Sequence, residues 1–173
     1  MGFTIFSIEA NMPEAYRLND YVLTGEGDPR ELLEGMYFWT WNTQEVLDLI
    51  LWMREYNASG RGVMQFTGFD MQFPSVAAEE VRAFVEQYDP AYLPAFDEAY
   101  AVIGYPSVNQ VRDMALGDAT AWYLQARKVL GYLKEHQATY EETAAPGKIA
   151  WALQNARLVV QSAENVRVRQ GIQ

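Results

Sequence analysis

Cysteine is absent from the 173 residues, and histidine occurs once, at His136. The first absence removes a disulfide scaffold, a thiolate metal centre and a cysteine nucleophile, and the second leaves too few imidazoles for the usual zinc sites. Basic residues are also few. With 13 Lys and Arg against 23 Asp and Glu, the formal charge is −10, and a surface without clustered cations is a poor match for nucleic acid or an anionic membrane. No run reaches the ~18 to 20 apolar residues that span a bilayer, and no charged segment followed by an apolar one opens the chain as a secretory signal does. The expectation is a cytoplasmic protein. Met1-Gly2 resembles the start of a myristoylation motif, but Phe6 stands where that motif requires Ser or Thr. There is no repeat of fixed period, no low-complexity tract and no phosphate-cradling loop, since Gly25-Glu26-Gly27 has no strand before it.

What remains is apolar enough, at 50% hydrophobic residues, to build one domain with a real core. Phe3, Thr4, Ile5, Phe6 and Ile8 form an uncharged run interrupted only by Ser7, which predicts a strand buried in a parallel sheet. Glu9 is the first ionisable side chain after it. The next residues, Ala10-Asn11-Met12-Pro13, turn the chain into a helix faced by Ala15, Leu18 and Val22 and ended by Gly25 and Gly27. Glu9 is therefore expected at the carboxyl end of a core strand, facing a helix N-terminus, where open α/β sheets place their ligands.

Asp28-Pro29-Arg30-Glu31 combines a capping Asp, a proline at the first position and a Glu three residues after the cap, which starts a short helix reaching about residue 35. The aromatic stretch at 36–41 must face a core or a pocket, because each such ring buries about 150–250 Å². Thr43 caps a helix over 44–56 so apolar, through Val46, Leu47, Leu49, Ile50, Leu51, Trp52 and Met53, that burial on most sides is expected. A turn cluster at 57–62 precedes a second strand at 63–69 that ends in Asp70. The mostly helical connection between the strands predicts a parallel pair with a right-handed crossover, and so both acids on one edge of the sheet.

Beyond Pro74-Ser75, a stripe of Ala77, Val81, Phe84, Val85 and Tyr88 predicts a helix, and Pro90, Pro94 and Pro106 break the aromatic segment after it. Asp118 is expected to cap a helix carrying Trp122, Ala126, Val129, Leu130 and Leu133. The last helix, about 146–167, sets Ile149, Leu153, Ala156, Val160 and Ala163 in a packing seam.

Each candidate residue has two readings. Glu9 and Asp70 are either site carboxylates or, respectively, a charge on a helix dipole and a turn former; Gly68 either permits a close backbone approach or marks a bulge. Tyr37, Phe38, Trp39 and Trp41 either line a pocket for a large apolar substrate or pack in the core. His136, in a polar helix end, is read as a solvated residue favouring the negative end of the dipole rather than as a base. Arg157, Arg167 and Arg169 are read as a solvated face.

The runs SIEANMPEAYRLNDYVLTGEGDPRE, YFWTWNTQEVLDLILWMREYN and FTGFDMQ closely resemble the erythromycin esterase family, most specifically over residues 3–73. That resemblance implies a metal-independent, cofactor-free hydrolase in which a histidine base activates water against an ester carbonyl while glutamates orient or stabilise the charged species. The family glutamate that follows the strand falls on Glu9. The family's glutamate, histidine and arginine motif before this strand, and its second histidine beyond the helical section, have no match here, so the chain is expected to be an internal or truncated portion, weakly active or inactive alone. The fold expected is α/β: parallel strands with surrounding helices and a helical C-terminal half, with 1–104 as a partial esterase-like core and 105–173 as a helical extension. A small-molecule ester is the expected partner. Two other readings stay open: a carboxylate-metal hydrolase using Glu9 and Asp70 with Mg²⁺ or Mn²⁺, and a non-catalytic domain that self-associates through an uncovered sheet edge.

Overall fold

The structure is a computed structural model, and it describes residues 2–101 and 113–171. The division expected at 104/105 falls outside the described residues, as does Pro106. By proximity of its backbone the chain divides into two compact units, Met1–Met71 and Gln72–Gln173.

The first unit is a parallel strand pair with three helices. Strand β1 (Ile5–Asn11) runs into helix α1 (Met12–Thr24), then α2 (Pro29–Glu34) and α3 (Gln44–Ala58), and the chain returns as β2 (Gln65–Asp70) to lie parallel beside β1. Pro13 sits in the first turn of α1, and Gly25 closes that helix in the left-handed conformation (φ 84°), its amide donating to Tyr21 O. Asp28 caps α2 by accepting from the amides of Arg30 and Glu31, and Thr43 caps α3 by accepting from Val46 N. Ile8, Ala10, Leu18, Val22, Leu33, Met36, Leu47, Ile50, Met53 and Phe66 form the core of this unit.

Two expectations of burial change. The apolar run that opens the chain is not covered on both faces: Phe3 is 80% and Ile5 60% exposed, while Ile8 and Ala10 are buried. The sheet has two strands among the described residues, so β1 has β2 on one edge and no strand on the other. Helix α3 is likewise buried along one stripe only, Leu47, Ile50 and Met53, and leaves Trp52 half exposed beside Tyr56.

The second unit is helical: α4 (Ser75–Tyr88), α5 (Leu93–Ala101), α6 (Leu116–Glu135), α7 (Gln137–Thr143) and α8 (Lys148–Gly171). The seam of α8 packs along α6 and α4, burying Ile149, Leu153, Ala156, Val159 and Ala163; Val159 rather than Val160 faces inward. Asp118 lies inside the first turn of α6, where it complements the dipole, and the capping position belongs to Ala115. The arginines of α8 are more than a solvated face, since Arg167 lies 4.8 Å over the ring of Tyr123 on α6. No helix among the described residues is long and apolar enough to cross a membrane.

Candidate active site

The register of the strand pair sets the site. Ile8 lies opposite Gly68 and Asn11 opposite Asp70, so β1 advances three residues where β2 advances two. The extra residue makes a bulge at Glu9 and Ala10, a device that re-aims a side chain. Gly68 makes room for it: a β-carbon there would collide with Ala10 O and lie 2.9 Å from Asn11 O. Both sequence readings of Gly68 therefore hold together, because the close approach is what the bulge requires.

Glu9 itself is exposed, between the buried Ile8 and Ala10. Its carbonyl oxygen accepts a hydrogen bond of 2.8 Å from Trp41 Nε1. Asp70 is half-buried: its Oδ1 accepts from the amide of Met71 at 2.8 Å, and its Oδ2 is buried with no hydrogen-bond partner among the described residues. Asp70 ends β2, whereas Glu9 lies two residues before the end of β1, so the expected placement of both acids at strand ends holds for Asp70 alone, and Asp70 is in register with Asn11 and not with Glu9.

Around them the aromatic stretch divides. Met36 is fully buried, and Phe38 and Trp41 pack against the core. Tyr37 and Trp39 point outward, at 68% and 83% exposure, and Tyr37 holds a left-handed backbone (φ 61°) that few non-glycine residues adopt. A cleft of about 180 Å³ in this unit is lined instead by Arg30, Leu33, Glu34, Asn42, Thr43, Gln44 and Leu47.

Three buried polar side chains were not singled out by the sequence. Asn11 and Glu14 are buried at the start of α1, where Asn11 Nδ2 donates to Glu14 Oε1 at 3.2 Å. A carboxylate in a first helical turn complements the dipole. Asn19 Oδ1 accepts from Phe66 N at 2.8 Å and so fixes β2 to α1. The signal for Asn19 was legible, as it stands four residues after Ala15 and three before Val22, on the helix face that those residues and Leu18 define.

The second unit has its own polar cluster. Tyr132 and Tyr140 both donate to Asp89 Oδ2, at 2.8 and 2.6 Å. Burial pushes the Asp89 carboxyl up, but the hydrogen bonds from Tyr140 and Tyr132 outweigh it and hold it below 3.8. The same contacts act on the phenols. Burial first, then the bond to Asp89, raises Tyr132 to about 12, and Tyr140 moves in the same direction for the same causes. His136 stacks on Tyr132 with ring centroids 4.1 Å apart, and its Nδ1 lies 2.9 Å from Tyr132 O. A carbonyl only accepts, so Nδ1 carries the proton in this arrangement. His136 is thus half-buried in a stack rather than solvated. Among the described residues no group of three or more His, Cys, Asp or Glu is gathered to hold a metal ion.

A parallel strand pair with a helical crossover, in a chain whose C-terminal half is helical, places the molecule among α/β proteins. The chain belongs to the erythromycin esterase family, whose model matches residues 1–172. Three solved structures are similar. A crystal structure of a succinoglycan biosynthesis protein is 26% identical with a TM-score of 0.74, the match covering 96% of this chain and 40% of that one. A protein from Bacillus cereus is 25% identical with a TM-score of 0.79, again covering 96% and 40%. A mutant of the erythromycin esterase EreC in its open conformation is 14% identical with a TM-score of 0.72, covering 98% and 43%, a likeness of fold. The chain thus spans 40 to 43% of the length of these structures.

Proposed function

We propose that the chain contributes the glutamate-bearing part of an ester-hydrolysing site of the erythromycin esterase kind. The observation that carries this reading is Glu9, an exposed carboxylate on a strand bulge at the carboxyl edge of a parallel pair, in a chain that matches the family over residues 1–172. In such hydrolysis, water attacks the ester carbonyl carbon and gives its proton to a base; the tetrahedral oxyanion collapses, and the alcohol leaves with a proton. Glu9 orients the water or the charged base, and Asp70 adds a second negative charge at the same edge. The exposed rings of Tyr37 and Trp39 offer apolar surface to a large substrate such as a macrolide lactone.

The base is a histidine that this sequence does not supply. His136 is engaged by its stack on Tyr132 and by Tyr132 O, so the chain alone turns over esters slowly or not at all. A carboxylate-metal mechanism has less support, since Asp70 faces Asn11 rather than Glu9 across the pair.

Hydrolysis of erythromycin and of p-nitrophenyl esters by the protein, with imidazole added as a surrogate base, tests the reading. The expected result is ester cleavage above the imidazole background, with the lactone product gaining one water by mass, and a fall of about a hundredfold in Glu9→Gln. A rate equal to the imidazole background in both proteins would falsify it.

A further inference from the structure

We propose that Trp41 and Gly68 are positioning residues for Glu9, clamping the bulge that carries it from two sides. The inference rests on the hydrolase reading for its purpose, but its geometry stands on three observations. First, β1 and β2 lose register between Ile8 and Asn11, leaving Glu9 and Ala10 outside the ladder that would otherwise fix their backbone. Second, Gly68 gives up a side chain where Ala10 O and Asn11 O press against it, so any other residue at that position drives the bulge away from β2. Third, the carbonyl of Glu9, freed from the ladder, is taken up by the indole N–H of Trp41 at 2.8 Å.

Trp41 is suited to hold a backbone still. Its ring packs against the core of the first unit. Its own amide donates to Phe38 O at 3.0 Å, and its carbonyl accepts at 2.9 Å from the amide of Thr43, the residue whose hydroxyl caps α3. A donor anchored at both ends of its own peptide and wedged along its ring transmits the position of the core to the peptide of Glu9. Tyr37 and Trp39, exposed in the same stretch, have no such contact with Glu9. The aromatic stretch therefore has two duties: Trp41 sets the direction of the carboxylate, and Tyr37 and Trp39 face what it acts on. A carboxylate must be held to within a fraction of an ångström of its working geometry, which is why the clamp acts on turnover more than on substrate binding.

Trp41→Phe keeps a ring in the core and removes only the N–H, and Trp39→Phe serves as its control for the resonances alone. Two readouts are taken on the whole protein. In carbon- and nitrogen-labelled protein, the Glu9 carbonyl and Ala10 amide resonances are expected to move in Trp41→Phe and in Gly68→Ala, and to stay in place in Trp39→Phe. In the imidazole-supplemented ester assay, kcat is expected to fall about ten- to a hundredfold in Trp41→Phe with KM within about twofold. If Gly68→Ala fails to fold, Trp41→Phe still decides the matter. Unmoved Glu9 and Ala10 resonances in Trp41→Phe overturn the clamp whatever the turnover. A raised KM with kcat kept also overturns it and makes Trp41 a substrate-binding residue. A Glu9→Gln protein as active as the parent sinks the hydrolase reading instead, and the resonances then still decide whether the clamp exists.

Discussion

Asp89 accepts two phenolic hydroxyls through one oxygen, and that one contact shapes three titrations. The folded state holds the Tyr132 proton up to about pH 12, against 10.0 for a free tyrosine, so its contribution to stability is fully present below pH 10.0 and is lost as pH rises toward 12. Asp89, depressed in the fold, contributes in the opposite sense: its share is present above 3.8 and is lost as pH falls through its lowered folded value. The urea midpoint of the protein should therefore drop between about pH 10 and about pH 12, and drop less steeply in Tyr132→Phe. An equally steep drop in that variant would remove Tyr132 from the account. None of this cluster was legible beforehand, because the tyrosines stand 43 and 51 positions from Asp89 and no periodicity links them.

At the scale of elements, one side chain ties three segments together. Asn57, near the end of α3, donates through Nδ2 to Val22 O in α1 at 3.0 Å and to Met64 O at 2.8 Å, and its Oδ1 accepts from Met64 N at 2.7 Å. It thereby satisfies both backbone groups of the residue that leads into β2. Asn57→Ala should cost about 1–3 kcal/mol in chemical denaturation, the usual penalty for leaving half-buried polar groups unmatched. A change within about 0.5 kcal/mol would mean water replaces the amide without loss. In sequence this asparagine looked like the first residue of a turn, and it is in fact a helix residue that shapes the turn after it. The helix starts were easier to read. Asp28-Pro29 and Thr43 act as expected because capping is a contact between residues two or three apart. Asp118 misled because an acid in a first turn and an acid at a cap look alike in sequence, and the helix begins two residues earlier.

For the whole molecule, the strand pair carries the most exposed apolar surface of the first unit's core elements. Parallel strands are ordinarily covered on both faces, yet Phe3, Ile5 and Phe69 lie exposed on this pair. Such a surface invites association through a sheet edge or face. Light scattering should show a mass that rises with protein concentration, and Ile5→Lys with Phe69→Lys should suppress the rise; a monomer at every concentration would show that the surface stays solvated. This is also the reading under which the chain serves as an interaction domain, and of the exposed residues Phe69 is the one that lies beside the Glu9 bulge.

The amino-acid sequence by itself determined the elements and their kinship. Apolar spacing, caps and breakers act within a few residues, so most of the helices, the two strands and their parallel pairing through helical connections followed from local rules; α5 did not, because Pro94 falls in its first turn, where a proline starts a helix rather than breaking it, and α7 was not anticipated. Only the tertiary structure decided what those elements do to one another. The bulge at Glu9 depends on Gly68 in another strand, the hold on its carbonyl depends on Trp41 from 32 positions away, and the exposure of Ile5 depends on whether a neighbouring strand exists to cover it. Each is a meeting of surfaces brought together by folding, and no window along the chain contains both partners.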